Sequence, residues 1–461
     1  MLIISPSDLG SAEFRSDYRT RYAYAAGSMY RGISSAELVS CMARHGLMAF
    51  LGTGGLPVNE IRRTVLRLRE ELGGDAVIGA NLLASPTLPE REDQAVSTYL
   101  ALGVRHVEAA AFTEVTPALV RYRASGAYLN DEGRPAAHNL LMVKLSSPRL
   151  AEAFMSPPSQ DVLNGLVARG LLTAKEMEAA SKLPIASDVC AEGDSGGHTD
   201  ARNPLVLFPE IARRRDEAMH RHGYARRIRV GTAGGLGSPE SIAAAFTAGA
   251  DFVVTGSVNQ CTPQAGTSDA VKDLLAALDT EGTAYAPSPD LFELGSKVQV
   301  ARAGSLFAPR ANKLYELYRR YGSLDGLDER TARTLQDSWF GRSFDDIWAE
   351  ARAHALLTRP DAAVRADQNP RLRMAMVFRW WFIRTTRAAL AGDQEGLTDF
   401  QIHCGPAMGA FNRFVAGTAL EEWRNRHANR VADALMGGAA TVLEERLRQW
   451  SGHADLTVGS M

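Results

Sequence analysis

The sequence predicts an α/β protein built on a parallel TIM (β/α)8 barrel, with a helical insertion after strand 5 and a C-terminal all-helical extension. Three observations predict it. From about residue 20 to residue 260, short apolar runs ending in Gly or polar residues alternate with longer helical patterns, which implies a parallel sheet. About eight such runs occur, the number that closes a barrel. Gly-rich turns follow many different strands, whereas an open dinucleotide-binding sheet concentrates them after the first.

The first strand lies near Tyr22 to Met29. LMAFLG (47–52), AVIGANLL (76–83), VRHVEAAAF (104–112) and LLMVKL (140–145) follow, then SDVCAEG (187–193), IRVGTAGG (228–235) and DFVVTG (251–256). Amphipathic stretches such as NEIRRTVLRLREEL (59–72) and PESIAAAFTAGA (239–250) supply the intervening helices. Between Leu145 and Ala186 lie about 40 residues with helical periodicity and prolines at 148, 157, 158 and 184. A connection of that length is expected to be a lid or an added subdomain. After about residue 300 the alternation stops and helical patterns such as ANKLYELYRRYG and MAMVFRWWFIRTTRAAL take over. Their Trp339, Trp348, Trp380 and Trp381 read as core. The expected division is a barrel over residues 1–145 and 186–300, an insertion or lid over 146–185, and a helical region over 301–461.

Composition narrows the function. Lys and Arg number 51 and Asp and Glu 53, so the net charge of −2 argues against a general nucleic-acid binder. With 45% hydrophobic and 23% charged residues, disorder as the main state is excluded. Cys41, Cys190, Cys261 and Cys404 form no CxxC pair, which points away from disulfides and structural zinc and towards a reducing cytoplasm. The first residues lack the basic start and long apolar core of a signal peptide. The apolar stretch Met374 to Ile383 is broken by Arg379 and flanked by Arg373 and Arg384, so no membrane span is expected. The expectation is a soluble cytoplasmic protein.

Two segments carry the chemistry. In RVGTAGGLGSPESIAAAFTAGADFVVTGSVNQ (229–260), Gly234, Gly235 and Gly237 let backbone amides approach an anion, and Ser238–Pro239 opens a helix. Gly256 and Ser257 repeat the device one βα unit later. Two consecutive turns of this kind at the end of a barrel commonly hold a phosphate. In CAEGDSGGHTD (190–200), Glu192, Asp194, His198 and Asp200 surround a Ser195-Gly196-Gly197 turn at a strand end. There a histidine can donate a proton or polarise a carbonyl. No second histidine lies at ligand spacing from it, so no metal site is expected.

These two segments resemble the flavin-dependent barrel family of nitronate monooxygenases and flavin-dependent enoyl reductases. The likeness narrows in GSMYRGISSAELVSCMARHGLMAFLGTGGL (27–56), VEAAAFTEVTPALVRYR (107–123), EGDSGGHTD, TGSVNQ, ELGSKVQVARAGSLFAPRANKLYELYRRY (293–321) and CGPAMGAFN (404–412). Together they resemble the PfaD family, the trans-acting enoyl reductases of polyunsaturated fatty-acid synthases and trans-acyltransferase polyketide synthases. The likeness runs from about residue 20 to 425. It implies that His198 is the active-site histidine and that Gly27, Ser28 and Met29 form a first-strand turn against the flavin. Asn81 matches the polar residue ending the third strand, and Lys144 a cation facing the flavin ring or its phosphate. Ala233, Gly234, Gly235, Gly256 and Ser257 match the phosphate turns, and Glu192 and Gly197 join the cofactor-facing set. The turn reads EGDSGG where the family form is EADSGG, and TAGGLG replaces AAGGIG. Neither change removes a group the chemistry needs.

The resemblance implies an FMN-dependent enoyl reductase. Hydride passes from NADPH through FMN to the β-carbon of an α,β-enoyl thioester, and a proton follows at the α-carbon. The substrate arrives on an acyl carrier protein within a polyketide or fatty-acid synthase assembly. Arg213, Arg214 and Arg215, or Arg226, Arg227 and Arg229, are candidate docks for that acidic partner. Glu192 and Asp194 are candidates for setting the state of His198. The apolar helical tail is compatible with a homodimer. Two alternatives stand beside this reading: a nitronate monooxygenase, and a catalytically idle flavoprotein scaffold.

Overall fold

The structure is a computed structural model that describes residues 3–86 and 88–451. It divides into two compact units. The first comprises the chain up to Ser195, Asp200–Gly266 and the segment from Pro406 on; the second comprises Gly196–Thr199 and Thr267–Gly405.

The first unit is the predicted barrel. Its strands are β1 (Tyr24–Ala26), β2 (Met48–Leu51), β3 (Gly79–Leu83), β4 (His106–Ala110), β5 (Leu140–Leu145), β6 (Asp188–Glu192), β7 (Arg229–Ala233) and β8 (Val253–Thr255). All neighbours pair in parallel, and β8 closes on β1 through Tyr24↔Val253 and Ala26↔Thr255. Nearly every strand residue is buried, as expected where helices cover a parallel sheet from outside. The lower, N-terminal ends of the strands are plugged by the helix Ala12–Tyr18, whose Phe14 stacks on Tyr18 and on Phe252. Ser11 caps that helix by accepting the Phe14 amide.

The helix after β4, α1 (Pro117–Ala124), meets the insertion. The insertion forms α2 (Pro148–Phe154), α3 (Gln160–Ala168) and α4 (Ala174–Ala180), each started by a Ser or Thr cap at 147, 159 or 173. Leu163, Leu166, Leu172 and Ala180 pack against Val120 and Ala124 of α1. Helix α4 also touches the hairpin Tyr128–Leu129/Pro135–Ala136 that leads into the lower end of β5. The insertion is thus a helical layer in which α3 and α4 cover α1, while α2 packs on the helix Pro204–His222.

The domain boundaries also fall elsewhere than expected. The barrel unit breaks off at Gly266, not near residue 300. The C-terminal helix Ala428–Trp450 belongs to the barrel unit and packs on α5 (Pro239–Thr247), where a Cβ on Gly438 would lie 2.5 Å from Pro239 Cγ.

The second unit is built on an antiparallel sheet of β9 (Thr283–Pro287), β10 (Lys297–Ala301) and the short Gly197–His198 segment. Val298 pairs with His198 and Gln299 with Gly197. Helices Phe307–Arg320, Phe344–Thr358 and Pro370–Ala391 cover it with a core that includes Phe292, Phe307, Phe378, Trp381 and Phe382. Trp339, Trp348 and Trp380 are partly buried against that core, consistent with the packing role read from the sequence. Among the described residues no helix is long and apolar enough to cross a membrane.

Candidate active site

Strand alternation gathers charged side chains towards the upper, C-terminal end of the barrel. Lys144 Nζ, near the end of β5, lies 2.8 Å from Glu192 Oε1 at the end of β6. It lies 4.0 Å from Glu108 Oε1 on β4. Burial disfavours the ammonium, but the two carboxylates outweigh it and hold the Lys144 pKa above the ordinary lysine range. Glu108 is fully buried; its Oε2 accepts the Ser28 amide at 2.8 Å, while Oε1 has no hydrogen-bond partner. Burial raises the Glu108 pKa against the pull of Lys144. The cation expected at this end is thus present, held between two acids.

The first-strand turn packs on the same carboxylate. A Cβ on Gly27 would lie 2.8 Å from Val254 Cγ1 and 3.3 Å from Glu108 Oε1, so only glycine fits without displacing them. The Met29 amide donates to Ser34 Oγ at 2.9 Å. Asn81 is buried, with Nδ2 3.4 Å from the Glu108 carbonyl and its own carbonyl accepting from Tyr99 at 2.6 Å.

The two glycine turns follow β7 and β8. Gly234 and Gly235 hold φ of +90° and +72°, a left-handed conformation that side chains resist. A Cβ on Gly234 would also lie 2.7 Å from the Asp194 carbonyl, which fastens this turn to the one after β6. At Gly235 and Gly256 a Cβ would meet nothing within 4 Å, so both backbones border open space. Ser238 caps α5 in a reciprocal arrangement with Ser241, and Ser257 begins the short helix Ser257–Gln260. Ala233 ends β7 paired with Glu192, and its carbonyl accepts the Gly193 amide at 2.9 Å. Open backbone at Gly235 and Gly256, at the ends of β7 and β8, is of the kind that holds the phosphate of a cofactor.

The second unit holds His198. Its Nε2 lies 2.8 Å from Asp290 Oδ1 and 2.9 Å from Ser288 Oγ, and Ser288 also bonds Asp290 Oδ1. Burial opposes the Asp290 carboxylate, but the bonds from His198 and Ser288 prevail and hold its pKa well below the usual carboxylate range. His403 meets His198 edge-on, with ring centroids 6.5 Å apart. Burial and the neighbouring imidazole push the His403 pKa down to about 3. Gly197 takes φ of +84°, and a Cβ on Gly196 would lie 2.8 Å from the Cys404 carbonyl carbon. The Gly-Gly pair is what lets the turn pass so close to the 403–405 backbone.

Two acids of this turn have other partners: Glu192 pairs with Lys144 and accepts from Ser195 at 3.3 Å, and Asp200 bonds Ser146. A carboxylate on His198 comes from Asp290, 92 positions downstream. The basic runs are also committed. Arg229 pairs with Asp188 and Asp17, Arg226 with Asp17, Arg227 with Asp251, and Arg215 with Asp251. Arg213 and Arg214 pair with Glu210, and Arg214 also with Glu152. Arg215 and Arg229 are buried in these pairs, whereas Arg213, Arg226 and Arg227 stay exposed. Sequence reasoning missed Glu108, Ser288, Asp290 and His403. Glu108 had a signal, a lone acid inside the apolar run VEAAAF. Asp290 had none.

Comparison with known proteins places this arrangement. The enoyl reductase domain of MlnA from the macrolactin biosynthesis cluster of Bacillus amyloliquefaciens superposes with a TM-score of 0.92 and 40% identity, over 96% of this chain and 99% of that one. The chain belongs to the PfaD-like family of trans-acting enoyl reductases. The polyketide biosynthesis protein PksE of Bacillus subtilis is 46% identical over 96% of the chain. A polyunsaturated fatty acid synthase protein of a Thraustochytrium species is 37% identical over 90% of it. The chain spans 58% of the former's length and 28% of the latter's. Residues 321–400 match the model of the inserted helical domain of [acyl-carrier-protein] S-malonyltransferase. That stretch lies within the helical part of the second unit.

Proposed function

We propose that this chain is an FMN-dependent enoyl reductase that saturates the α,β-double bond of an enoyl thioester borne by an acyl carrier protein in a polyketide or polyunsaturated fatty-acid assembly. The observation that carries the proposal is the end-to-end likeness to the enoyl reductase domain of MlnA, which spans both units. The donor set agrees with it. Gly234, Gly235, Gly256 and Ser257 would hold the FMN phosphate through backbone amides, and Lys144 would offset its charge, with Ala233 and Glu192 setting the strand ends beside them. Gly27, Ser28, Met29 and Asn81 would bound the ring. Bound FMN supplies the two-electron relay by which hydride from NADPH reaches the β-carbon.

The chain supplies the rest. His198, presented by Gly197, hydrogen-bonded to Asp290 and near a histidine kept neutral, can polarise the thioester carbonyl and hold the proton for the α-carbon. The net change is one hydride and one proton added across C=C. An acyl carrier protein of the synthase assembly is the proposed partner, and the cytoplasm the proposed compartment.

Anaerobic stopped-flow spectroscopy tests the reading. NADPH should bleach the flavin, and a crotonyl thioester on a carrier protein should restore its colour with saturated product. His198→Ala should slow the second phase by about 10²–10⁴-fold, the range for removing a general acid. A reduced flavin that ignores the thioester but oxidises an alkyl nitronate with oxygen would overturn the reductase reading. A flavin that NADPH cannot reduce would point to a scaffold.

A further inference from the structure

Ser288 and Asp290 stand on the loop between β9 and β10, whose base is closed by the Ser288 amide donating to the Ser296 carbonyl at 2.8 Å. Ser288 is fully buried, so the loop presents Asp290 to the histidine from a fixed point. Donor accounting settles which atom carries the proton. Asp290, held ionised, can only accept, so the hydrogen between it and His198 Nε2 belongs to the ring. Ser288, donating to Asp290, receives the same N–H with its lone pair.

Two other charges on the packed elements have partners: the Lys297 ammonium lies over the Tyr285 ring at 5.8 Å, and Glu293 pairs with Arg379 at 3.2 Å. Titratable neighbours of the turn are Cys404, whose backbone passes Gly196, and His403, whose Nε2 accepts from Gln401 at 2.9 Å. Two imidazolium rings 6.5 Å apart repel, and His403 is the one that stays neutral.

We infer that Asp290, steadied by Ser288, is the positioning residue of His198: it fixes the ring by Nε2 and imposes the Nε2–H tautomer. The inference rests on the proposed function only for its consequence in turnover. The ring's state is independent of it.

The test is nitrogen-15 NMR of the histidine side chains in the full-length protein, with His198→Asn to assign the signal. The neutral His198 ring should appear as the Nε2–H tautomer, and Asp290→Asn should move its titration midpoint to lower pH by about one unit, as for loss of a neighbouring carboxylate. Asp290→Glu should restore most of that shift. Under steady-state turnover, Asp290→Asn should lower kcat about tenfold or more, move the pH profile in the same direction, and leave the KM for NADPH unchanged. An Nδ1–H tautomer, or a midpoint that Asp290→Asn does not move, overturns the inference. If the midpoint moves but neither Asp290→Asn nor His198→Ala slows enoyl reduction, the positioning role stands and the catalytic reading of His198 fails.

Discussion

The two ends of the barrel both bury charge, and they do it differently. At the lower end Arg229 spans Asp188, through Nε at 2.5 Å and Nη2 at 3.0 Å, and Asp17 at 2.6 Å, while Tyr18 donates to Asp188 at 2.9 Å. Every charged oxygen of Asp188 has a partner. At the upper end Lys144 faces two carboxylates, and Glu108 Oε1 has no hydrogen bond. A buried charge cluster that closes on itself holds structure together. One that leaves an acceptor unfilled beside open backbone retains capacity for a ligand.

Removing a partner at each end should separate the two roles. Asp188→Ala leaves Arg229, which is 2% exposed, with only Asp17, and should cost about 3–5 kcal/mol in urea unfolding. The folded fraction should keep its flavin-to-protein absorbance ratio. Lys144→Met should cost less stability, because Glu192 is partly exposed and can recover water and the buried Glu108, whose pKa burial already raises, can take up a proton, whereas Arg229 can do neither. It should instead lower flavin retention about tenfold or more, the effect of losing one charge-assisted contact of roughly 1.5–3 kcal/mol. Equal stability losses with unchanged flavin content would erase the distinction.

The contrast also marks what was legible in the sequence. The barrel was readable because each strand is a short apolar run closed by a polar or glycine turn, as in LLMVKL and DFVVTG. The turn after β7 and the one before His198 were readable because Gly234, Gly235 and Gly197 hold positive φ, and glycine is visible in one dimension. Pairing was not. Asp290 meets His198 only because β10 brings Val298 and Gln299 alongside His198 and Gly197, a register that no local pattern encodes. The partners of the arginine runs were hidden for the same reason: their counter-charges, Asp17, Asp188, Asp251 and Glu152, lie far away in sequence. The helices of the insertion were legible, but not the surface they cover, because helical periodicity reports an apolar face and not its partner.

Acid should act on the two ends in opposite directions. Burial works against the Asp17 carboxylate, but Arg229 and Arg226 prevail and its folded pKa is lowered. The stability it contributes is present above its unfolded value of about 3.9 and is lost as pH falls through the folded pKa. Glu108 is the reverse, with a folded pKa raised chiefly by burial. Its ionisation penalty appears as pH rises through about 4.3, the unfolded value, and is complete above the folded pKa. Glu108→Gln keeps an acceptor for the Ser28 amide and removes that penalty. Relative to the parent, the variant should be more favourable at pH 7 than at pH 4, by about 1 kcal/mol or less if Lys144 absorbs part of the change. A difference independent of pH would mean that Glu108 does not titrate with folding.

The smallest expected change in stability isolates the ligand side of the comparison. Gly256 has φ of −118°, a value alanine tolerates, and its Cβ would enter open space. Gly256→Ala should therefore alter unfolding by no more than about 0.5 kcal/mol. If that space receives the cofactor's phosphate, the added methyl must displace it, and FMN affinity measured by fluorescence titration should fall tenfold or more. Gly234→Ala cannot make this separation, since the 2.7 Å approach to the Asp194 carbonyl ties its fold and its ligand together. A Gly256→Ala protein that is equally stable and binds FMN as tightly would place the phosphate away from the turn after β8. The upper end would then depend on the β7 turn and Lys144 alone.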